Sequence, residues 1–168
     1  MDNSLYLILL VIVVGVLVYF FVIKRTPDEK KTTDAKPAHP GSTGLQLQAY
    51  ERMALLVDRI TLPNLINRTP HTGLSARDMA HVLTRSIRDE FDYNITQQIY
   101  ITPETWNAVK NLKEKNLLII NQVTSVMPQE ATGLDLSKAL LEFIMNDPKN
   151  NQHELVSEAL GYEAKRLL

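Results

Sequence analysis

Apolar and polar positions divide the chain into three stretches with different periods. Residues 5–23 are apolar or aromatic at every position except Gly15, and none is charged. As a helix rising about 1.5 Å per residue, this run reaches roughly 28 Å, close to the hydrocarbon thickness of a bilayer. A helix satisfies its own backbone where lipid offers no partner. The pattern predicts a transmembrane helix from Leu5 to Ile23, with Tyr6 near one interface and Tyr19, Phe20 and Phe21 near the other. A cleaved signal peptide wants a basic start, a shorter apolar core and a small-x-small cleavage site; this chain starts Met-Asp-Asn-Ser, and Lys24-Arg25 follows the run directly.

The flanks set the expected orientation. Only Asp2 is charged ahead of the run, whereas Lys24, Arg25, Lys30 and Lys31 follow it. The positive-inside rule then places residues 1–4 outside and the bulk of the chain in the cytoplasm, at an inner membrane. Leu5, Gly15, Tyr19, Ile23, Lys24 and Arg25 are the expected anchor. Residues 24–44 hold Pro27, Pro37, Pro40, Gly41 and Gly44 among threonines and mixed charge, too little apolar surface to order a fold. They read as a flexible linker of about 20 residues spanning roughly 25 Å.

From Leu45 onward the apolar positions recur with a helical period. Tyr50, Met53, Val57 and Ile60, flanked by Ala49 and Leu56, form one stripe, which Pro63 ends or kinks. Leu62, Leu65 and Ile66 predict a short turn, and residues 67–73 a loop. Ser75 with Asp78 three residues on resembles a capping box, and the stripe Met79, Val82, Leu83, Ile87, Phe91, Ile95 and Ile99 follows. Thr102-Pro103-Glu104 supplies a side-chain cap, a first-turn proline and an acid at the positive end of the dipole. Trp106, Val109, Leu112, Ile120, Val123 and Met127 continue the next stripe as far as Pro128. Two shorter helices, over residues 134–145 and 153–168, complete the pattern around Asp147-Pro148. No segment alternates in the manner of a strand. The fold class expected is therefore all-α: a single transmembrane helix, then a compact bundle of about five helices over residues 45–168.

Composition narrows the chemistry. A net charge of −1 supplies no basic field for nucleic acid. The absence of cysteine removes disulfides, thiolate nucleophiles and cysteine metal sites. His71, His81 and His153 stand in no ligand pattern. Arg85 and Arg88 precede Asp89 and Asp92 by four residues, the spacing of solvated helix pairs. No phosphate loop or nucleophile elbow occurs. Asn67-Arg68-Thr69 and Asn94-Ile95-Thr96 match glycosylation acceptors by chance in a cytoplasmic domain. No cofactor, metal or catalytic residue is expected.

Two features point instead to contacts between proteins. Asn94 and Gln98 fall on the face of Ile87 and Phe91; they either set a polar seam that fixes register or partner choice, or sit at the stripe's edge and reach water. Leu117-Leu118-Ile119-Ile120 covers the whole circumference of a helix, so Leu118 and Ile119 are candidates for an oligomer or partner surface, with central burial as the alternative.

The run Leu45-Gln46-Leu47-Gln48-Ala49-Tyr50-Glu51-Arg52, then Arg88-Asp89-Glu90-Phe91 and Asn94-Ile95-Thr96-Gln97-Gln98-Ile99-Tyr100 ahead of Trp106, resembles an uncharacterised family of short, single-pass membrane-anchored helical proteins from Bacteroidota. The resemblance covers residues 45–106 and implies no catalytic residues. It draws attention to Glu90, Phe91, Asn94, Gln97, Gln98 and Tyr100 as a candidate interaction site. The function expected is a membrane-tethered interaction module, an adaptor, scaffold or accessory subunit with the lipid bilayer and a protein as partners. Self-assembly and a small enzyme or ligand-binding site near Asp89–Tyr100 are the alternatives.

Overall fold

In a computed structural model, residues 40–146 and 152–168 are described. They form six α-helices: α1 (Pro40–Ile60), α2 (Leu62–Arg68), α3 (Ala76–Tyr93), α4 (Pro103–Ser125), α5 (Gly133–Asn146) and α6 (Gln152–Lys165). A 3-10 turn, Ile95–Ile99, separates α3 from α4, and no strand occurs among the described residues beyond one isolated bridge. Two expectations need correction. Among the described residues no helix is long and apolar enough to cross a membrane, and the span expected over residues 5–23, with its anchor residues, lies outside them. Among the described residues the architecture is an all-helical bundle of six α-helices, where a membrane helix plus about five is expected from the sequence.

The sixth helix is the stretch taken for a turn. Pro63 lacks an N–H and sits in the first turn of α2, where none is required. The chain therefore breaks after Ile60 and restarts at Leu62 instead of ending. The break leaves a carbonyl to satisfy, and Asn116 of α4 does so: its buried Nδ2 donates to the Ile60 oxygen at 2.7 Å. Helix α1 itself opens at Pro40, so the last five residues of the expected linker, 40–44, are helical.

Helix α3 is shorter than its stripe. The Asn94 side-chain amide donates to the Glu90 carbonyl at 2.9 Å, and its backbone N–H donates to the Phe91 carbonyl at 3.0 Å, tightening the last turn. Ile95 and Ile99, read as core, are exposed on the 3-10 turn that follows. At the other end the capping box is real: Ser75 Oγ accepts from the Asp78 N–H at 3.2 Å and donates to its carboxylate at 2.6 Å. Thr132 and Asp135 repeat the device at the start of α5, where Asp135 Oδ2 accepts from the Thr132 N–H at 3.0 Å.

These two caps lie side by side. Ser75 pairs with Thr132 in an antiparallel bridge, the Ala76 N–H donating to the Ala131 carbonyl and the Gly133 N–H to the Leu74 carbonyl, each at 2.8 Å. Gly73 turns the chain at φ 78°, and a Cβ on Gly133 would come within 3.1 Å of the His71 carbonyl. The bridge ties helix–loop–helix α2–α3 to helix–loop–helix α4–α5. Helices α3 and α4 pack antiparallel, with α5 against both, while α1 packs on α3 and on α6, and α6 closes over α1 and α4. Met53, Leu56, Ile60, Leu65, Met79, Leu83, Ile87, Ile120, Leu136, Leu140 and Leu160 are fully buried between them. Each such side chain contributes about 1.5–3 kcal/mol.

Candidate functional site

Two helix faces meet in a cleft. Arg52, Leu55, Leu56 and Arg59 follow the i, i+3, i+4, i+7 spacing that places side chains on one face of α1. Ser86, Asp89, Glu90 and Tyr93 repeat the spacing on α3. Between them lie two adjoining hollows of about 370 and 420 Å³, which share Arg59, Glu90 and Tyr93 as their common wall. Arg68, the last residue of α2, closes the second hollow, and Asn94 lines the first.

Charge organises the cleft. Arg59 Nε donates to Glu90 Oε1 at 2.6 Å, and its Nη2 meets the same oxygen. Arg68 Nη2 approaches that oxygen too, but only to 3.7 Å. The hydrogen bond and charge of Glu90 hold Arg59 above the ordinary arginine range. Arg68 is pushed the other way, first by burial and then by the charge of Arg59. Two guanidinium groups thus divide one carboxylate oxygen, and Arg52 adds a third cation to the same cleft. The rim is apolar: Leu55 is 60% exposed and Tyr93 74%.

The candidate residues separate into three groups. Glu90 and Asn94 reach the cleft, Glu90 as its central anion and Asn94 as a buried cap of α3. Phe91 does not: it is buried, its ring stacked on Trp106 at 4.9 Å with Lys113 Nζ 4.4 Å from its centroid, and it fastens the end of α3 to the start of α4. Gln97, Gln98 and Tyr100 sit on or beside the 3-10 turn, Gln97 half-buried and the other two exposed. Asn94 and Gln98 therefore form no common seam, because the helix that would align them ends between the two. Ile119 is buried against the α2–α6 side of α4, whereas Leu118 is 64% exposed. Of the four-residue apolar run, three side chains are core and one faces out.

Sequence reasoning missed Arg52, Leu55, Arg59, Arg68 and Tyr93. One signal was available: from residue 52 to residue 88 every basic side chain is arginine (52, 59, 68, 77, 85 and 88), whereas lysine predominates afterwards. Arginine's planar fork suits carboxylate recognition, which lysine's point charge does not. The histidines do not converge: His71 lies at the paired loops, His81 in a groove between α3 and α4, and His153 at the start of α6. Among the described residues no three His, Cys, Asp or Glu side chains are grouped to hold a metal ion. The cleft thus combines three cationic, two acidic and several apolar or aromatic side chains.

No curated protein and no solved structure matches the chain. A family model described as a family of unknown function (DUF7935) matches residues 1–167, and the chain belongs to that family.

Proposed function

We propose that this domain is a non-enzymatic interaction module, an adaptor or accessory subunit that engages a protein partner through the α1–α3 cleft. The observation that carries the reading is the union of arginines with an exposed tyrosine and leucine around one concave wall. Arginine and tyrosine are over-represented at the energetic centres of protein interfaces, where apolar anchors fill pockets and charges are shielded from water. Placement at the cytoplasmic side of a bacterial membrane belongs to the proposal as well. Its supports are the apolar residues 5–23, the basic residues that follow them, and the resemblance over residues 45–106.

The test is co-purification of the full-length protein, tagged at its C-terminus and gently extracted from its native cells. The wild type is expected in the membrane fraction with one other protein in fixed ratio. Leu55→Ala combined with Tyr93→Ala is expected to lose that protein, and Leu118→Ala, a remote exposed control, to keep it. Retention of the partner by the double variant would sink the cleft assignment, and recovery in the soluble fraction would sink the placement.

A further inference from the structure

We infer that the occupant of this cleft is an acidic segment of a protein partner, which seats a carboxylate between Arg59 and Arg68 and an apolar side chain against Leu55 and Tyr93. The inference rests on the interaction-module reading and adds the chemistry of the partner. Glu90 supplies the first support, because it shows what the arginine pair accepts: one carboxylate oxygen, reached by Arg59 at 2.6 Å and by Arg68 at 3.7 Å. A guanidinium carries five donors in a planar fork that matches a carboxylate with two bonds. Among the described residues, Glu90 is the one counter-charge within 4.0 Å of Arg68, and it stands beyond hydrogen-bond reach. Arg68 therefore keeps unspent donors facing the cleft.

The neighbouring acids stand more than 4.0 Å from Arg59 and Arg68. The Asp58 carboxylate accepts from Asn64 at 2.9 Å, and Asp89 stands 3.7 Å from Arg85. Neither forms an ion pair with the two arginines, and the charge of Asp58 offsets only a small part of their repulsion. Burial and the charge of Arg59 both lower the Arg68 pKa, as expected of a cation short of counter-charge. An incoming carboxylate relieves this repulsion, and it competes with Glu90 for the same donors.

Charge also excludes a long polyanion. The chain carries a net charge of −1, and Glu90 and Asp89 line the cleft beside the arginines. Nucleic acid would bring a phosphate to every position, including those the two acids guard. A short acidic segment places one carboxylate at the arginines and an apolar group against Leu55 and Tyr93 on the exposed rim.

The experiment installs a photo-cross-linker, Tyr93→benzoylphenylalanine, in the full-length protein in its native cells and sequences the captured peptide by mass spectrometry. The expected product is a segment of another protein with Asp or Glu within about one helical turn, or four residues, of the linked side chain. Arg68→Glu is expected to cut capture roughly tenfold by placing like charge opposite the acid, with Arg68→Gln as a milder second variant. Glu90→Gln is expected to raise capture several-fold, because it removes the internal competitor. Thermal unfolding of each variant confirms that it is folded. Capture of a neutral, basic or phosphorylated segment, of lipid or nucleic acid, or of a second copy of this chain overturns the inference but leaves the cleft an interaction site. A fall in capture with Glu90→Gln overturns it too, since Glu90 would then organise the arginines for a different contact. No product from position 93 removes both readings.

Discussion

Asn116 shows how much one polar side chain decides. It occupies a core position on α4, and its amide caps α1 at the break before Pro63. An ionised aspartate there would offer only acceptors to the Ile60 carbonyl, and a leucine would offer nothing. A buried carbonyl left without its partner costs about 1–3 kcal/mol. Urea unfolding of the full-length protein is expected to show Asn116→Leu destabilised within that range and Asn116→Asp by more, with an unchanged denaturant slope. Equal stability of Asn116→Leu and wild type would mean that water, not Asn116, satisfies α1. Nothing in the sequence marked this residue, because an asparagine at a helical core position and one on a solvated face read alike until the opposing helix is known. Asn94 is the complementary case. Its place in the apolar stripe was legible, but its role, ending α3 by taking the Glu90 carbonyl, was not.

At the scale of elements, helix starts were the most readable features, since caps are local. Ser75 and Thr102 form the expected bonds, and Thr132–Asp135 has the same spacing. The Thr132 hydrogen bonds hold the Asp135 carboxylate below its ordinary range. A carboxylate depressed in the folded state stabilises above its unfolded pKa of about 3.9, and that stability is lost as pH falls through the lower, folded value. Thermal unfolding from neutral pH into acid should therefore show Asp135→Asn less stable than wild type near neutrality, with the gap closing below about pH 4. A gap independent of pH would assign the loss to geometry instead of charge. Helix ends were harder. The stripe from Met79 to Ile99 keeps its period across the boundary at Tyr93, so period alone carried the expected helix six residues too far.

On the scale of the whole molecule, the run Leu117–Ile120 separates burial from surface. Ile119 and Ile120 are core, whereas Leu118 faces out. Ile119→Ala is expected to cost about 2–5 kcal/mol, and Leu118→Ala to stay within about 0.5 kcal/mol. Calorimetry of the two variants checks this, and a large loss for Leu118→Ala would show that a further chain covers it. The α1–α3 cleft also belongs to this scale. Arg59 and Glu90 are 31 residues apart in sequence, and no local pattern couples them.

The sequence by itself determined the all-helical class, the membership in one family, the three main stripes and the capped starts of α3 and α4. Helical period and capping act over three or four residues, so a linear reading contains them. Tertiary structure alone decided that the Pro63 segment is a sixth helix, that Ile95 and Ile99 leave the core, that Phe91 is packing, and that two arginines from two helices converge on one glutamate. Each of these depends on which face of one helix meets which face of another, and that choice is made by the packing of the whole bundle.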